Sequence, residues 1–281
     1  MPNSSSDMNP SNLRRGFATT SLGQLHYRAC GEGPTLVMMQ TVPFSTAIFK
    51  SLMAVLAPHY SCYAIDLLGF SHSDPRPNIL SVEDYATNLV EALDDLGIGR
   101  MHLLAGHFSG SVAVEIALRR PAQIISLMLD GMGAITPEER EANMKKTPAV
   151  QVDASAQYFA GRWEYVEALM KRLDPELVIS NANLQAVMER AFPFFFRFGG
   201  PGGETGASYD LAEKLPQLKV PTLFIASPTD TQRPWHERTF ALVQGAKQHI
   251  FDGINPLYQC DRPDRAPEYA AVMTNFMRMA S

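Results

Sequence analysis

Six short apolar runs, separated by helix-like segments, constrain this chain more than any other feature. They are Thr35-Leu36-Val37-Met38-Met39, Cys62-Tyr63-Ala64-Ile65, His102-Leu103-Leu104-Ala105, Ile125-Ser126-Leu127-Met128-Leu129, Thr222-Leu223-Phe224-Ile225-Ala226 and Gln248-His249-Ile250-Phe251. Short, nearly continuous apolar runs suit strands covered on both faces. Strands alternating with helices are the pattern of an α/β sheet. Because parallel strands need right-handed crossovers, the expected architecture is a doubly wound, mostly parallel sheet. Two further runs between Phe17 and Cys30, about Leu22-Gly23-Gln24, read as a hairpin. The clearest helix starts at Ser81, an N-cap with Asp84 in the capping-box position, carries Tyr85, Leu89, Leu93 and Leu96 on one face, and stops at Gly97. The last helix is expected from about Pro267, with Tyr269, Val272, Phe276 and Met279 on its buried face.

One long region interrupts the alternation. Between residues 136 and 218 the pattern is helical, with Trp163, Tyr165, Leu169 and Met170 in one piece and Leu184, Val187 and Met188 in another. Phe192-Pro193-Phe194-Phe195-Phe196-Arg197-Phe198 follows, then a glycine-rich stretch. The expected organisation is a core of residues 14–135 and 211–281, with residues 136–210 inserted as a helical cap over a hydrophobic pocket. Residues 1–13 read as a disordered tail: they are polar and serine-rich and lack the apolar stretch of a signal peptide.

Composition narrows the partners. Hydrophobic residues make up 46% of the chain, enough for a sizeable core. With 24 Lys and Arg against 29 Asp and Glu the net charge is −5, which argues against a nucleic-acid partner. No stretch approaches the ~18 apolar residues of a membrane-spanning helix. Cys30, Cys62 and Cys260 lie far apart in sequence and form no CxxC pair or zinc spacing, so a reducing compartment is the default. There is no GxGxxG after a strand, no P-loop and no HExxH, so no cofactor and no metal are expected. The expected partner is a small-molecule ligand or substrate, and the expected location is cytoplasmic.

The segment Leu103-Leu104-Ala105-Gly106-His107-Phe108-Ser109-Gly110-Ser111 joins a strand to a helix and resembles the G-x-S-x-G nucleophile elbow of the α/β-hydrolase superfamily. Asp66-Leu67-Leu68-Gly69-Phe70-Ser71-His72-Ser73-Asp74 resembles that family's D-x-x-G-x-G-x-S-D loop, and Val220-Pro221-Thr222-Leu223-Phe224-Ile225 its penultimate core strand. The order and spacing of these motifs, from about residue 15 to the C-terminus, imply the α/β-hydrolase fold with an inserted helical cap.

The resemblance also implies a catalytic triad, and here it is degenerate. The frame Gly106-His107-Phe108-Ser109-Gly110 puts Phe108, which can neither attack nor give up a proton, where the serine is expected. Ser109 and Ser111 are the neighbouring hydroxyls. Asp230 resembles the family's acid, and Asp130, at the end of the preceding core strand, is a second carboxylate near the same rim. Ile254 or Asn255 stands where the family places its histidine, and neither is a general base near neutral pH. Gln40-Thr41 replaces the usual His-Gly after the first central strand, leaving the Ser109 amide and the Gln40 side chain to polarise an oxygen. His107 is expected to pack rather than react, and His249, His72, His102 and His236 have no better claim.

Three readings follow. The first is an enzyme without an acyl-enzyme intermediate, using Asp230 or Asp130 to move a proton on a small, largely apolar carbonyl or hydroxy compound. Elimination, isomerisation, cyclisation, decarboxylation and hydration all fit it. In that reading Gln40, Thr41, Phe108, Ile254 and Asn255 contact the substrate. The second is a small-molecule-binding protein that reuses the pocket without chemistry. The third is a hydrolase with a serine displaced to Ser109 or Ser111.

Overall fold

The computed structural model describes residues 12–39, 41–136, 138–139, 141–142, 156–193, 209–259 and 262–280. Among them is an eight-stranded sheet: β1 (Arg14–Thr20), β2 (Gly23–Cys30), β3 (Thr35–Met39), β4 (Ser61–Ile65), β5 (Met101–Gly106), β6 (Ile124–Asp130), β7 (Thr222–Ala226) and β8 (Lys247–Ile250). The strand order is β1-β2-β4-β3-β5-β6-β7-β8. β1 and β2 form the expected hairpin, and β2 pairs antiparallel with β4; the remaining neighbours are parallel.

Eight α-helices are described: α1 (Lys50–Leu56), α2 (Val82–Asp95), α3 (His107–Arg119), α4 (Ala156–Leu173), α5 (Leu184–Ala191), α6 (Leu211–Lys214), α7 (His236–Phe240) and α8 (Ala266–Ala280). α2 packs on α3 and α1 on α8, and β6 touches both α3 and α8, so the central strands are buried between helix layers. The α2 capping box forms as read: Ser81 Oγ accepts from the Asp84 N–H, and Asp84 accepts from the Ser81 N–H. In α8 the buried face is Tyr269, Ala270, Met273, Phe276 and Met277. Met279, expected on it, is 72% exposed, because at helical spacing it falls beyond the edge of that stripe.

Between β6 and β7 the described residues hold helices and no strand. α5 is tied to the loop after β3, where Ser45 donates from its N–H to the Arg190 carbonyl and from its hydroxyl to the Glu189 carbonyl. The Glu189 carboxylate also takes Arg28 and Lys50. Phe192 is buried, whereas Phe194 to Phe198 and Cys260 lie outside the described residues, as does the tail before residue 12.

A buried carboxylate ties β2, β4 and the loop after β3 together. Asp66, just past β4, accepts from His26 Nδ1 at 2.8 Å, the Thr46 N–H at 2.9 Å and the Thr46 hydroxyl at 3.2 Å. Burial pushes its pKa up, but His26, His72 and the Thr46 N–H outweigh that and hold it below the ordinary carboxylate value. Removing one partner of a buried charge network leaves the other uncompensated. Asp66→Ala is therefore expected to lower the unfolding free energy in urea at pH 7 by about 3 kcal/mol. A depressed carboxylate stabilises fully above its unfolded pKa and loses that effect as pH falls through its folded pKa. The deficit of the variant should accordingly shrink in strong acid.

Candidate active site at the carboxyl edge of the sheet

The chain leaves β5 at Gly106 in an extended conformation and enters α3 one residue later, at His107, with φ +51°. A non-glycine residue in the left-handed region is uncommon and marks a turn held by its surroundings. The space is tight: a Cβ on Gly106 would sit 2.5 Å from the Asp130 carbonyl oxygen. The apex of the strand-to-helix turn is thus His107, not Phe108, and the small residues flanking it are Ala105 and Ser109. The frame expected from the sequence is displaced by one residue.

That shift reassigns its neighbours. The Phe108 ring stacks on Phe70 at 5.9 Å and meets Tyr85 edge-on at 5.3 Å, so it packs between helix and loop rather than heading the turn. Ser109 is fully buried within α3.

His107 instead joins a cluster of polar side chains gathered at the carboxyl ends of the parallel strands. Its Nε2 lies 3.0 Å from Oδ2 of Asp230, which follows β7 and also accepts the Gln232 N–H at 2.6 Å. Burial pushes the Asp230 pKa up, but His107 and the Gln232 N–H outweigh it, and the group stays an ionised carboxylate. Burial pushes His107 down, yet the charges of Asp230 and Asp130 prevail and raise it above the ordinary histidine value. An ionised Asp230 can only accept, so the proton sits on Nε2 and the lone pair of neutral His107 is on Nδ1. Gly131 leaves room for this pair: its φ is +62°, and a Cβ there would lie 2.5 Å from both His107 Nε2 and Asp230 Oδ2.

Asp130, the last residue of β6, lies behind. It is 1% exposed and accepts from Asn255 Nδ2 at 3.0 and 3.2 Å and from the Tyr269 hydroxyl at 2.8 Å. Burial and the charge of Asp230 push its pKa up to about 7, against the downward pull of Tyr269, Asn255 and His107. Asn255 is fully committed, since its Oδ1 accepts the Leu257 N–H. Of the two residues considered for the histidine position, Asn255 enters the cluster; Ile254 is half-buried and brings no polar atom. Thr41 is buried after β3, its Oγ1 3.1 Å from where a Gly106 Cβ would be, so it too borders the turn. Gln40 lies outside the described residues.

Asp230, Asp130, Asn255 and Thr41 are therefore brought together, while Phe108 and Ser109 face elsewhere. His107 and Tyr269 are the members that sequence reasoning missed. The signal for His107 was the small residue two places to each side of it, Ala105 and Ser109. Among the described residues a second group, His26, Asp66 and His72, brings metal-ligand atoms within 4.8 Å of one another, but Asp66 is already held by His26 and Thr46.

The chain is similar to known proteins in sequence and in fold. The sequence profile of the alpha/beta hydrolase family matches residues 43–264. The chain is 26% identical over 240 residues to the putative carbamate hydrolase RutD of Stutzerimonas stutzeri, covering 82% of this chain and 83% of that protein. It is 27% identical over 260 residues to 2-hydroxy-6-oxononadienedioate/2-hydroxy-6-oxononatrienedioate hydrolase 2 of Pseudomonas putida, covering 82% and 84%. In structure it resembles the enol-lactonase of Burkholderia xenovorans LB400, with a TM-score of 0.69, 18% identity and 94% and 100% coverage. Naproxen esterase of Bacillus subtilis gives a TM-score of 0.72, 18% identity and 95% and 93% coverage. At these identities the structural likeness speaks for the fold.

The raised Asp130 has a consequence for stability. An acid with a folded pKa above its unfolded one binds more protons when folded, so stability falls as pH rises between the two values. The wild-type protein should lose unfolding free energy between the unfolded carboxylate pKa of ~3.9 and the folded value of about 7. Asp130→Asn should flatten that slope in urea melts run across the same pH range. An unchanged slope would show that Asp130 is not held protonated.

Proposed function

Starting from a chain that belongs to the alpha/beta hydrolase family, we propose an enzyme that works by general-base catalysis without an acyl-enzyme. Its substrate is a small, largely apolar carbonyl or hydroxy compound. The observation that carries this reading is His107 at the apex of the strand-to-helix turn, with Nε2 held by Asp230.

The apex is where this fold presents its reacting group to substrate. Imidazole there removes a proton through Nδ1, either from water or from an acidic C–H or O–H of the substrate, and Asp230 stabilises the imidazolium that forms. The oxygen that gains negative charge is served by the Phe108 amide, the first N–H after the apex and part of the unsatisfied N-terminus of α3. Asp130, held near neutrality as the acid, keeps the cluster from carrying two anions beside one cation. Carbonyl chemistry is supported by the named activities of the relatives, a putative carbamate hydrolase and a 2-hydroxy-6-oxononadienedioate hydrolase, and of the structurally similar enol-lactonase. With no serine at the apex, water attacks directly or the substrate rearranges after deprotonation.

The test is a screen of small lactones, esters and carbamates and of enolisable ketones. His107→Gln should cut turnover by about 10²–10⁴-fold, the usual worth of a general base. A fluorophosphonate probe should leave Ser109 and Ser111 unlabelled. Turnover retained in His107→Gln, stoichiometric labelling of either serine, or saturable binding with no chemical change would each overturn the proposal.

A pH profile supplies a second prediction. Activity needs neutral His107, so kcat/KM should rise with pH through a midpoint above ~6.5, the ordinary histidine value. Asp230→Asn removes the charge that raises His107. Its profile should move to lower pH while the plateau rate falls.

A further inference from the structure

Two of the cysteines that stand far apart in sequence meet in the sheet. β2 and β4 pair antiparallel, and their register sets Cys30 directly opposite Cys62. Directly opposed residues project to the same face, with Cα atoms about 4.5–5.5 Å apart, inside the 4.4–6.8 Å range that a disulfide spans. Both thiols are free and buried. Cys30 Sγ donates to the Met53 carbonyl and Cys62 Sγ to the Tyr60 carbonyl.

Cys62 is fully enclosed, whereas Cys30 borders open space. A cavity of about 470 Å³ reaches Cys30, lined also by Arg14, Glu32, Ala57, Pro58 and Ser61. Interaction with the Cys62 thiol pulls the Cys30 pKa below the ordinary thiol range, outweighing burial, and the Arg14 guanidinium acts in the same sense. Cys62 is pushed the other way, by Cys30 and by burial. Cys30 borders the cavity and Cys62 does not, so Cys30 is placed to attack an oxidant and Cys62, directly opposite, to resolve it. The pair stands at the end of the sheet where β4 begins, whereas His107, Asp130 and Asp230 lie where β5, β6 and β7 end. It is a separate feature from the candidate active site.

We propose that Cys30 and Cys62 form an oxidisable dithiol, a modification site for peroxide on the face of the protein remote from the His107 cluster. The Cys30 thiolate attacks one peroxide oxygen and the O–O bond breaks, giving a sulfenic acid and hydroxide. The Cys62 sulfur then displaces the sulfenic oxygen as water and closes the disulfide. Two thiols lose two electrons and two protons, and one hydrogen peroxide becomes two waters. A dithiol reductant reverses the change. The bridge joins β2 to β4 at positions they already occupy.

The 281-residue chain with Cys260→Ser isolates the pair, leaving two of its three cysteines. After hydrogen peroxide, thiol titration under denaturing conditions should fall from two to none and return to two with dithiothreitol. Peptide mapping should find the Cys30 and Cys62 peptides linked. In the same background Cys62→Ser, which keeps a hydrogen-bond donor beside Cys30 but cannot close a disulfide, should carry Cys30 past sulfenic to sulfinic acid, with no linked peptide. A titre that stays at two, or sulfinic acid on Cys30 while Cys62 is still present, overturns the proposal. So does a Cys62→Ser protein in which Cys30 resists peroxide as an ordinary buried thiol.

Discussion

The arrangement at the carboxyl edge depends on a single backbone constraint, the left-handed conformation of His107 between β5 and α3. A strand that turns into a helix within one residue projects that residue above the sheet. The turn is possible because neighbouring chain can come close: Gly106 admits the Asp130 carbonyl, and Gly131 admits the imidazole and the Asp230 carboxylate. The hydrogen bond to Asp230 and the opposition of the two aspartates both follow from where this turn puts one ring.

Charge then decides how the cluster behaves. Three titratable groups share a region with little solvent, and they cannot all be charged at once without cost. The pair in direct contact, His107 and Asp230, gains by ionising, because each compensates the burial of the other. Asp130 is left with neutral donors, Asn255 and Tyr269, and with the repulsion of Asp230. Two carboxylates with similar exposure therefore part company, one kept as anion and the other near its protonation midpoint at neutral pH. Such separation is what acid–base chemistry at a single pH requires.

Much of the fold was legible in sequence, and the reasons are local. β3 and β7 run between the residues their apolar stretches mark, each preceded by a proline, Pro34 or Pro221, and each buried on both faces. The elbow was legible as a motif but not in register. Two frames fit the same residues, and the one bounded by glycines alone was the wrong one. What the turn needs is small volume at its flanks, which Ala105 and Ser109 supply as well as glycine does. Asn255 could not be separated from Ile254 by counting, since only the course of the loop decides which faces Asp130. The meeting of Cys30 with Cys62 was beyond reach from spacing alone, because it depends on the pairing of β2 with a strand that follows an intervening strand and helix.

Under the proposed function, the departures from the familiar Ser-His-Asp pattern form one set. In that pattern a buried acid fixes the tautomer of a histidine that serves the nucleophile at the apex. Here the acid position is kept and the histidine itself stands at the apex, within reach of the same carboxylate. A base at the position after β8 then has nothing to serve. A second imidazole there would face Asp130 and compete for the proton that Asp130 holds. Asn255 supplies the N–H donor that a buried carboxyl needs without adding a titratable group, and its carbonyl oxygen secures the turn that carries it. Histidine at the elbow and Asp230 depend on each other, since either alone would leave a buried polar atom without the partner it has here, while Asn255 serves Asp130.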